Sequence, residues 1–439
     1  MKYCLPVPHL ALPESSPHQA LNQHFLTKQT EIEHWFQKQW RLTPPPFYTS
    51  VDLRNSGFKL APVDTNLFPA GFNNLNPAFM SLCVQAAQAT LKQFFPGCRR
   101  ILLIPENHTR SHFYFESLAR LQQILLNAGF DVQIGAWRES LQSPETIHLH
   151  NDGILRIQPL SKKDGQLGVD DFWPCLVLLN NDLSEGKPDF FNDLKQHVIP
   201  LPDLGWFQRT KSQHFSYYQH IVETFAEVMA LDPWLLAAEF STVPQVDFMS
   251  GKGEAELVAA VEQLLSTIQQ KYDHYGIKQA PYVVVKADSG TYGMGIMTVK
   301  SGMELMDLNR KQRTRMAATK GHKITQVIVQ EGVYSFEKVG GGVAEPVVYL
   351  IGSYVVGGFY RVHDQRGPTE NLNAPGMHFT PLMFAESGGN LDETLIPEAS
   401  PNLFYAYGVI ARLAALAAAH EAISTNKSPS LTIDPTIPK

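Results

Sequence analysis

Residues 283–296 read VVVKADSGTYGMGI. A β-branched run closes on Lys286, and Gly290, Gly293 and Gly295 follow it. Strand, lysine, then glycines is the order expected of a backbone loop around phosphate. The lysine supplies a point charge for phosphate oxygens, and glycines let backbone N–H groups approach them. The run lacks the GK[ST] ending of a Walker A loop and the GxGxxG spacing of a dinucleotide fingerprint. Taken alone, it reads equally as a glycine-rich hairpin joining VVVK to GIMTV.

The flanking segments separate those readings. Downstream, ITQVIVQEGV is an apolar strand ending in Gln330, Glu331, Gly332 and Val333, a hinge type that offers backbone groups to an adenine edge. AEPVVYL then sets Glu345 at a strand entry, and Arg361 and His363 end the next strand. Lysine strand, glycine hairpin, helix, hinge, acid strand and Arg/His strand, in that order, resemble an ATP-grasp domain. A lone hairpin predicts none of the rest.

Composition fits an enzyme of this kind. The chain has 439 residues, 44% hydrophobic and 18% charged, which allows two or three domains' worth of core. With 36 basic and 42 acidic residues its net charge is −6, which argues against bulk nucleic-acid binding. Cys4, Cys83, Cys98 and Cys175 are scattered and form no CxxC pair, so a reduced protein without disulfides is expected. Proline and acid interrupt the N-terminal stretch where a signal peptide needs an apolar core, and no run matches a membrane span. The expected location is the cytoplasm.

The periodicity predicts helices over 17–41 and 77–95, then a strand–helix–strand unit from ILLI through FDVQIG, and a buried strand in CLVLLNND. Helices follow at 217–240, 254–275 and 302–319, and an alanine-rich closing helix at 404–422. The expected organisation is a substrate-binding α/β region over 1–245, a nucleotide-binding region over 246–425 and a disordered tail over 426–439. The fold class is α/β (α+β).

Upstream motifs sharpen the resemblance. SVDLRNSGFKLAPVDTNLFPAGFNNL, residues 50–75, is similar to the stretch of eukaryotic-type glutathione synthetases that pairs an arginine with an E-x-N motif. That likeness implies Arg54 as the arginine, Asp64 and Asn66 as Mg²⁺ ligands, and Phe68, Pro69, Ala70 and Gly71 as backbone facing substrate. IPENHTRSHFYFE resembles E-x-N-x(3)-Q-x(3)-E, with Glu106, His108 and His112 on the substrate side. QRTKSQ resembles GTK-x-x-Q and implies a phosphate role for Lys211. Lys286 then becomes a nucleotide lysine, Asp288 the third metal ligand, and Glu345 and His363 nucleotide contacts. Where the synthetases carry R-x-G-Y, this chain has NNDLS, around Asn181 and Ser184.

Together with NLNAPGMHFTPL, which contains Asn373, the whole more closely resembles the proteobacterial glutamate–cysteine ligases built on an ATP-grasp scaffold. The resemblance implies ATP and Mg²⁺ as cofactors and L-glutamate and L-cysteine as substrates. It also suggests a homodimer. The implied reaction joins the two amino acids through γ-glutamyl phosphate, with Arg54, Arg361 and Lys286 as catalytic residues. Arginine suits carboxylates and lysine suits phosphates. A glutathione synthetase or another ATP-grasp carboxylate–amine ligase is the alternative within enzymes, and a catalytically dead nucleotide-binding scaffold is the alternative outside them.

Overall fold

The structure is a computed structural model and describes residues 17–107, 111–150, 153–290, 295–319, 322–382 and 403–425. Three sheets organise it. The first is antiparallel and runs Leu60–Asn66, Tyr48–Asn55, Gly342–Ile351, Tyr354–His363, His378–Pro381, with the short Lys338–Val339 strand also on Gly342–Ile351. The second, also antiparallel, runs Phe240–Pro244, Gln326–Glu331, Val283–Ala287, Ile296–Val299. The third runs His197–Ile199, Leu176–Asn180, Arg100–Pro105, Asp131–Ala136, Ile154–Pro159, all parallel, with Glu145–His148 added antiparallel at one edge.

The glycine loop of the opening stretch joins two hydrogen-bonded strands. Val283 pairs with Val299 and Lys286 with Ile296, so it is a hairpin, and that hairpin belongs to the sheet carrying the hinge. Gly290 and Gly295 hold φ of 105° and 63°, the left-handed region that glycine enters without steric cost.

Helix Leu403–Thr425 shows no amphipathic stripe because residues 406–419 are buried all round. Its residues 406–417 pack in one core with helices Gln29–Leu42 and Lys211–Met229 and with Val51, Leu53, Val348 and Leu350 of the first sheet. It is long and apolar enough to cross a bilayer, yet its most apolar window is 83% buried, as a core helix is.

Several expectations change. The predicted helix over 17–41 is two helices, Pro17–Thr27 and Gln29–Leu42. The helix expected at 217–240 begins at Lys211 and ends at Met229, where Ala230 turns to φ 54° and Pro233 forbids continuation. The helix expected at 302–319 is Met303–Met306 followed by Arg310–Ala317, restarted by a capping box between Asn309 and Gln312. A division at 245/246 does not match the sheets: Tyr48–Asn55 and Leu60–Asn66 complete a sheet with strands beyond 342. The expected tail lies outside the described residues.

The cysteine expectation is also corrected. Cys98 and Cys175 form a disulfide, with Cα atoms 5.7 Å apart across 77 residues of sequence. They lie just ahead of Arg100–Pro105 and Leu176–Asn180, whose parallel pairing brings distant segments side by side. Cys83 is free and buried, and Cys4 is outside the described residues.

Candidate active site

The two antiparallel sheets face each other across a cleft. The hinge sheet contributes Val284, Lys286, Ile296, Thr298, Gln330 and Glu331, and the other sheet Asp52, Arg54, Asp64, Glu345 and Arg361. Lys211, from the first turn of its helix, also lines the cleft, as do Gly290, Val333 and Asn373. Eleven residues expected from sequence therefore converge here.

The charges alternate. Lys211 Nζ lies 3.0 Å from Asp64 Oδ1, and Lys286 Nζ donates to Val63 O at 2.9 Å and Gln330 Oε1 at 2.7 Å. Burial opposes the charge on Asp64, but Lys211 and Lys286 outweigh it and hold its pKa down at about 2. Burial pushes Lys286 down to about 8, against the pull of Asp64. Arg361 donates through Nη1 to Asp52 at 2.7 Å and to Glu345 at 2.6 Å. Burial raises the Asp52 pKa despite Arg361, whereas Glu345, gripped by Arg54 and Arg361, stays below the usual range although buried.

Two buried donors in this cleft have no partner among the described residues: Gln330 Nε2 and Arg361 Nε. A buried unpaired donor is costly, so both suit a site that receives an acceptor-rich ligand.

Asp52 escaped the sequence reading. It sits opposite Asp64 in the strand ladder, so two carboxylates share one face. Such a pair is unfavourable without cations between them. Its signal was the two-residue offset from Arg54, which places both on one face of a strand.

Other expected residues have different jobs. Arg54 donates to Glu345, Tyr282, and the carbonyls of Val333, Pro368 and Glu370, so its fork holds the hinge loop and has no room for a bidentate substrate carboxylate. Asp288 is buried behind the cleft, accepting from Ser212 N at 2.7 Å, Ser212 Oγ at 2.6 Å and Gln326 Nε2. It caps the helix that begins with Lys211, and three of its roughly four acceptor sites are spent there. Asn66 Oδ1 is taken by Phe68 N at 2.9 Å, an Asx turn. Glu331 reaches back to Lys59 at 2.6 Å, which burial and this pairing leave at a pKa of about 8. A side chain on Gly332 would place its Cβ 2.1 Å from the Tyr282 ring, so the hinge requires glycine there. His363 is buried, with Nε2 3.0 Å from Pro375 O.

A second, polar pocket lies at the carboxyl ends of the parallel strands, lined by Glu106, Trp137, Asn181, Ser184 and Lys187. Arg100–Pro105 has neighbours on both sides that come later in the chain, so this is the topological switch point where open α/β sheets bind ligands. Glu106 Oε1 accepts from Asp182 N at 2.8 Å, and Asn181 Nδ2 donates to Pro105 O at 2.9 Å. The connector Phe68–Gly71 is tied down between the pockets: Asn180 Nδ2 donates to Pro69 O, Tyr349 to Ala70 O, and Gly71 N to Ser117 Oγ. His112 is exposed, with its ring 5.1 Å from that of His150. His108 and Gly293 lie outside the described residues.

A family profile, glutamate-cysteine ligase, matches residues 22–422. Among curated proteins none matches. A crystal structure of a Methylobacillus flagellatus KT protein, provisionally named a gamma-glutamylcysteine synthetase, is 50% identical with a TM-score of 0.87 and covers 96% of this chain and 100% of its own. An apo glutathione synthetase-like effector from Globodera pallida is 10% identical (TM-score 0.34, 83% of this chain, 79% of its own). A D-alanyl-alanine synthetase A from Vibrio cholerae is 13% identical (TM-score 0.33, 72% of this chain, 81% of its own). These last two are too distant to carry an argument. The profile spans both cleft-forming sheets and the switch-point pocket, and the chain belongs to the glutamate-cysteine ligase family.

Proposed function

We propose that the cleft between the antiparallel sheets binds ATP, and that the switch-point pocket and the adjoining cleft wall receive the amino acids. The observation that carries this is the row Lys211–Asp64–Lys286–Gln330, which combines two phosphate-seeking cations with a buried, unpaired amide donor. The reaction is ATP-dependent formation of γ-glutamylcysteine from L-glutamate and L-cysteine. The glutamate γ-carboxylate attacks the γ-phosphorus, ADP leaves, and the cysteine amine displaces phosphate from the acyl phosphate.

Catalysis of this kind is alignment plus neutralisation of developing negative charge. Lys211 and Lys286 neutralise phosphate oxygens. Arg361, with Nε unspent, faces the phosphoryl group or the substrate carboxylate. Arg54 acts at one remove by fixing the hinge and Glu345. Glu106 orients a substrate ammonium.

Magnesium fits the donors that are present. Asp64, Asp52 and Glu345 are hard oxygen ligands on one wall, and two facing carboxylates gain from a divalent cation between them. When bound, the metal would screen the phosphate charge. Asp52 and Glu345 join the expected Asp64 and Asn66 in this set, while Asp288 is occupied at the start of the Lys211 helix.

The test is ADP release by the pure protein with ATP, Mg²⁺, glutamate and cysteine, against γ-glutamylcysteine and glycine as the second pair. Release with the first pair alone supports the ligase. Release with only the second pair, or with neither, overturns it.

A further inference from the structure

Behind the cleft lies a buried ionic cluster that touches none of the proposed reactants. Arg209 donates from Nε at 2.7 Å and Nη2 at 3.0 Å to the two oxygens of Glu421, and His214 Nδ1 lies 3.1 Å from the same carboxylate. Side-chain exposures are 2%, 1% and 3% for Arg209, Glu421 and His214. Desolvation cancels much of the Coulomb gain of a buried pair, so stability alone does not account for it well.

Its geometry offers a better account. The remaining arm of Arg209, Nη1, donates to Thr65 O at 2.7 Å, the residue between Asp64 and Asn66. Two residues after Arg209 comes Lys211, which grips Asp64. The Trp206 ring underlies both cations, 4.9 Å from the Arg209 guanidinium and 4.3 Å from Lys211 Nζ. One guanidinium therefore anchors the backbone beneath Asp64 and the segment that delivers Lys211.

We propose that Arg209, locked by Glu421 of the closing helix, is a positioning residue that sets Asp64 against Lys211 for nucleotide binding. This rests on the cleft being the nucleotide site. A rival role would be simply to fasten the closing helix. That helix has another Arg–Glu fork that does only this: Arg412 holds Glu33 at 2.7 and 2.8 Å, and neither bonds to the strand that carries Asp64.

The experiment compares ADP affinity by calorimetry, and kcat and KM for ATP and glutamate, in full-length wild type, R209K, E421Q and E33Q. R209K keeps the charge but loses the fork. By analogy with residues that orient ligands from behind, R209K and E421Q should lose about 10-fold or more in ADP affinity. Their KM for ATP should rise with KM for glutamate little changed. E33Q should lower Tm with ADP affinity unchanged. In a D64N background R209K should add clearly less than its loss in wild type, because one of the two groups it positions is gone.

Wild-type ADP affinity in R209K overturns the proposal, as does an equal loss in E33Q and E421Q. If E421Q does not fold, R209K and its D64N cycle decide alone. A wild type that binds ADP but does not join glutamate to cysteine overturns the proposed reaction and leaves the positioning test intact. A wild type that binds no ADP overturns both.

Discussion

Arg54 and Arg361 grip opposite oxygens of Glu345, Arg54 at 3.1 Å and Arg361 at 2.6 Å. Both are arginines at strand positions facing a cleft, and the sequence gives them the same promise. They differ in what is left over, which is set by partners from residues 282, 333, 368 and 370 that no local pattern announces. R361K, which keeps a cation against Asp52 and Glu345, should therefore lower kcat by about 100-fold or more with the fold retained, the scale for losing one charge-stabilising donor. R54A should loosen the hinge region, costing about 3–5 kcal/mol by removing the shared donor of the Val333, Pro368 and Glu370 carbonyls and one of the two cations on buried Glu345; denaturant melts beside steady-state kinetics separate the two. Lys286 makes a pH prediction. Its charge is present below about 8 and is lost as pH rises through that value, whereas bound phosphate would hold the proton on. ADP binding near pH 8 should take up a proton, read as a buffer-dependent calorimetric enthalpy, and K286R should abolish the uptake. Glu337 makes another. Burial lifts its pKa to about 8, Asn55 and Tyr407 both donate to Oε1, and Oε2 has no partner among the described residues. A carboxylic acid with a raised folded pKa costs nothing below its unfolded value, and the cost grows as pH rises toward about 8. E337Q should be the more stable protein at pH 8, with the difference vanishing as pH falls toward about 4.5.

At the level of elements, the sequence was most legible where local rules decide. The β-branched strand before the glycines, the QEGV hinge and the strand–helix–strand unit all formed, because hydrophobic period and glycine conformation are properties of short segments. Helix ends were less legible. The helix beginning at Lys211 starts six residues earlier than its apolar period suggested, since Thr210 and Asp288 satisfy its first N–H groups. Asp288 is 76 residues away from Ser212 in sequence, so its capping role was invisible, and a free-looking acid beside a glycine loop read as a metal ligand. Cys98 and Cys175 were hidden for the same reason. Gly332 shows an element-scale constraint that is testable. A Cβ there meets the buried Tyr282 ring, which donates to Val333 O at 2.7 Å. G332A should cost about 1–3 kcal/mol through overpacking. Because the hinge must move, it should also weaken ADP binding, measured by calorimetry.

Across the whole molecule, the first sheet unites the two ends of the described chain. Strands before residue 66 pair with strands after 342, and the closing helix seals the other face. A fragment ending at 245 would leave Tyr48–Asn55 without its Gly342–Ile351 neighbour and the core of Gln29–Leu42 without its cover. Residues 1–245 expressed alone should be insoluble or molten by circular dichroism and exchange, while co-expression with 246–439 should restore soluble protein. Two separately stable halves would refute that view of the sheet.

The same topology has a consequence during synthesis. Residue 342 follows residue 66 by 276 positions, and at ~5–20 residues per second the ribosome needs roughly 15–55 s to deliver it. For that interval the nascent hairpin Tyr48–Asn66 carries an open edge with no strand to cover it. The chain must be shielded until its late strands emerge, so the yield of active protein should depend on chaperone supply and elongation rate.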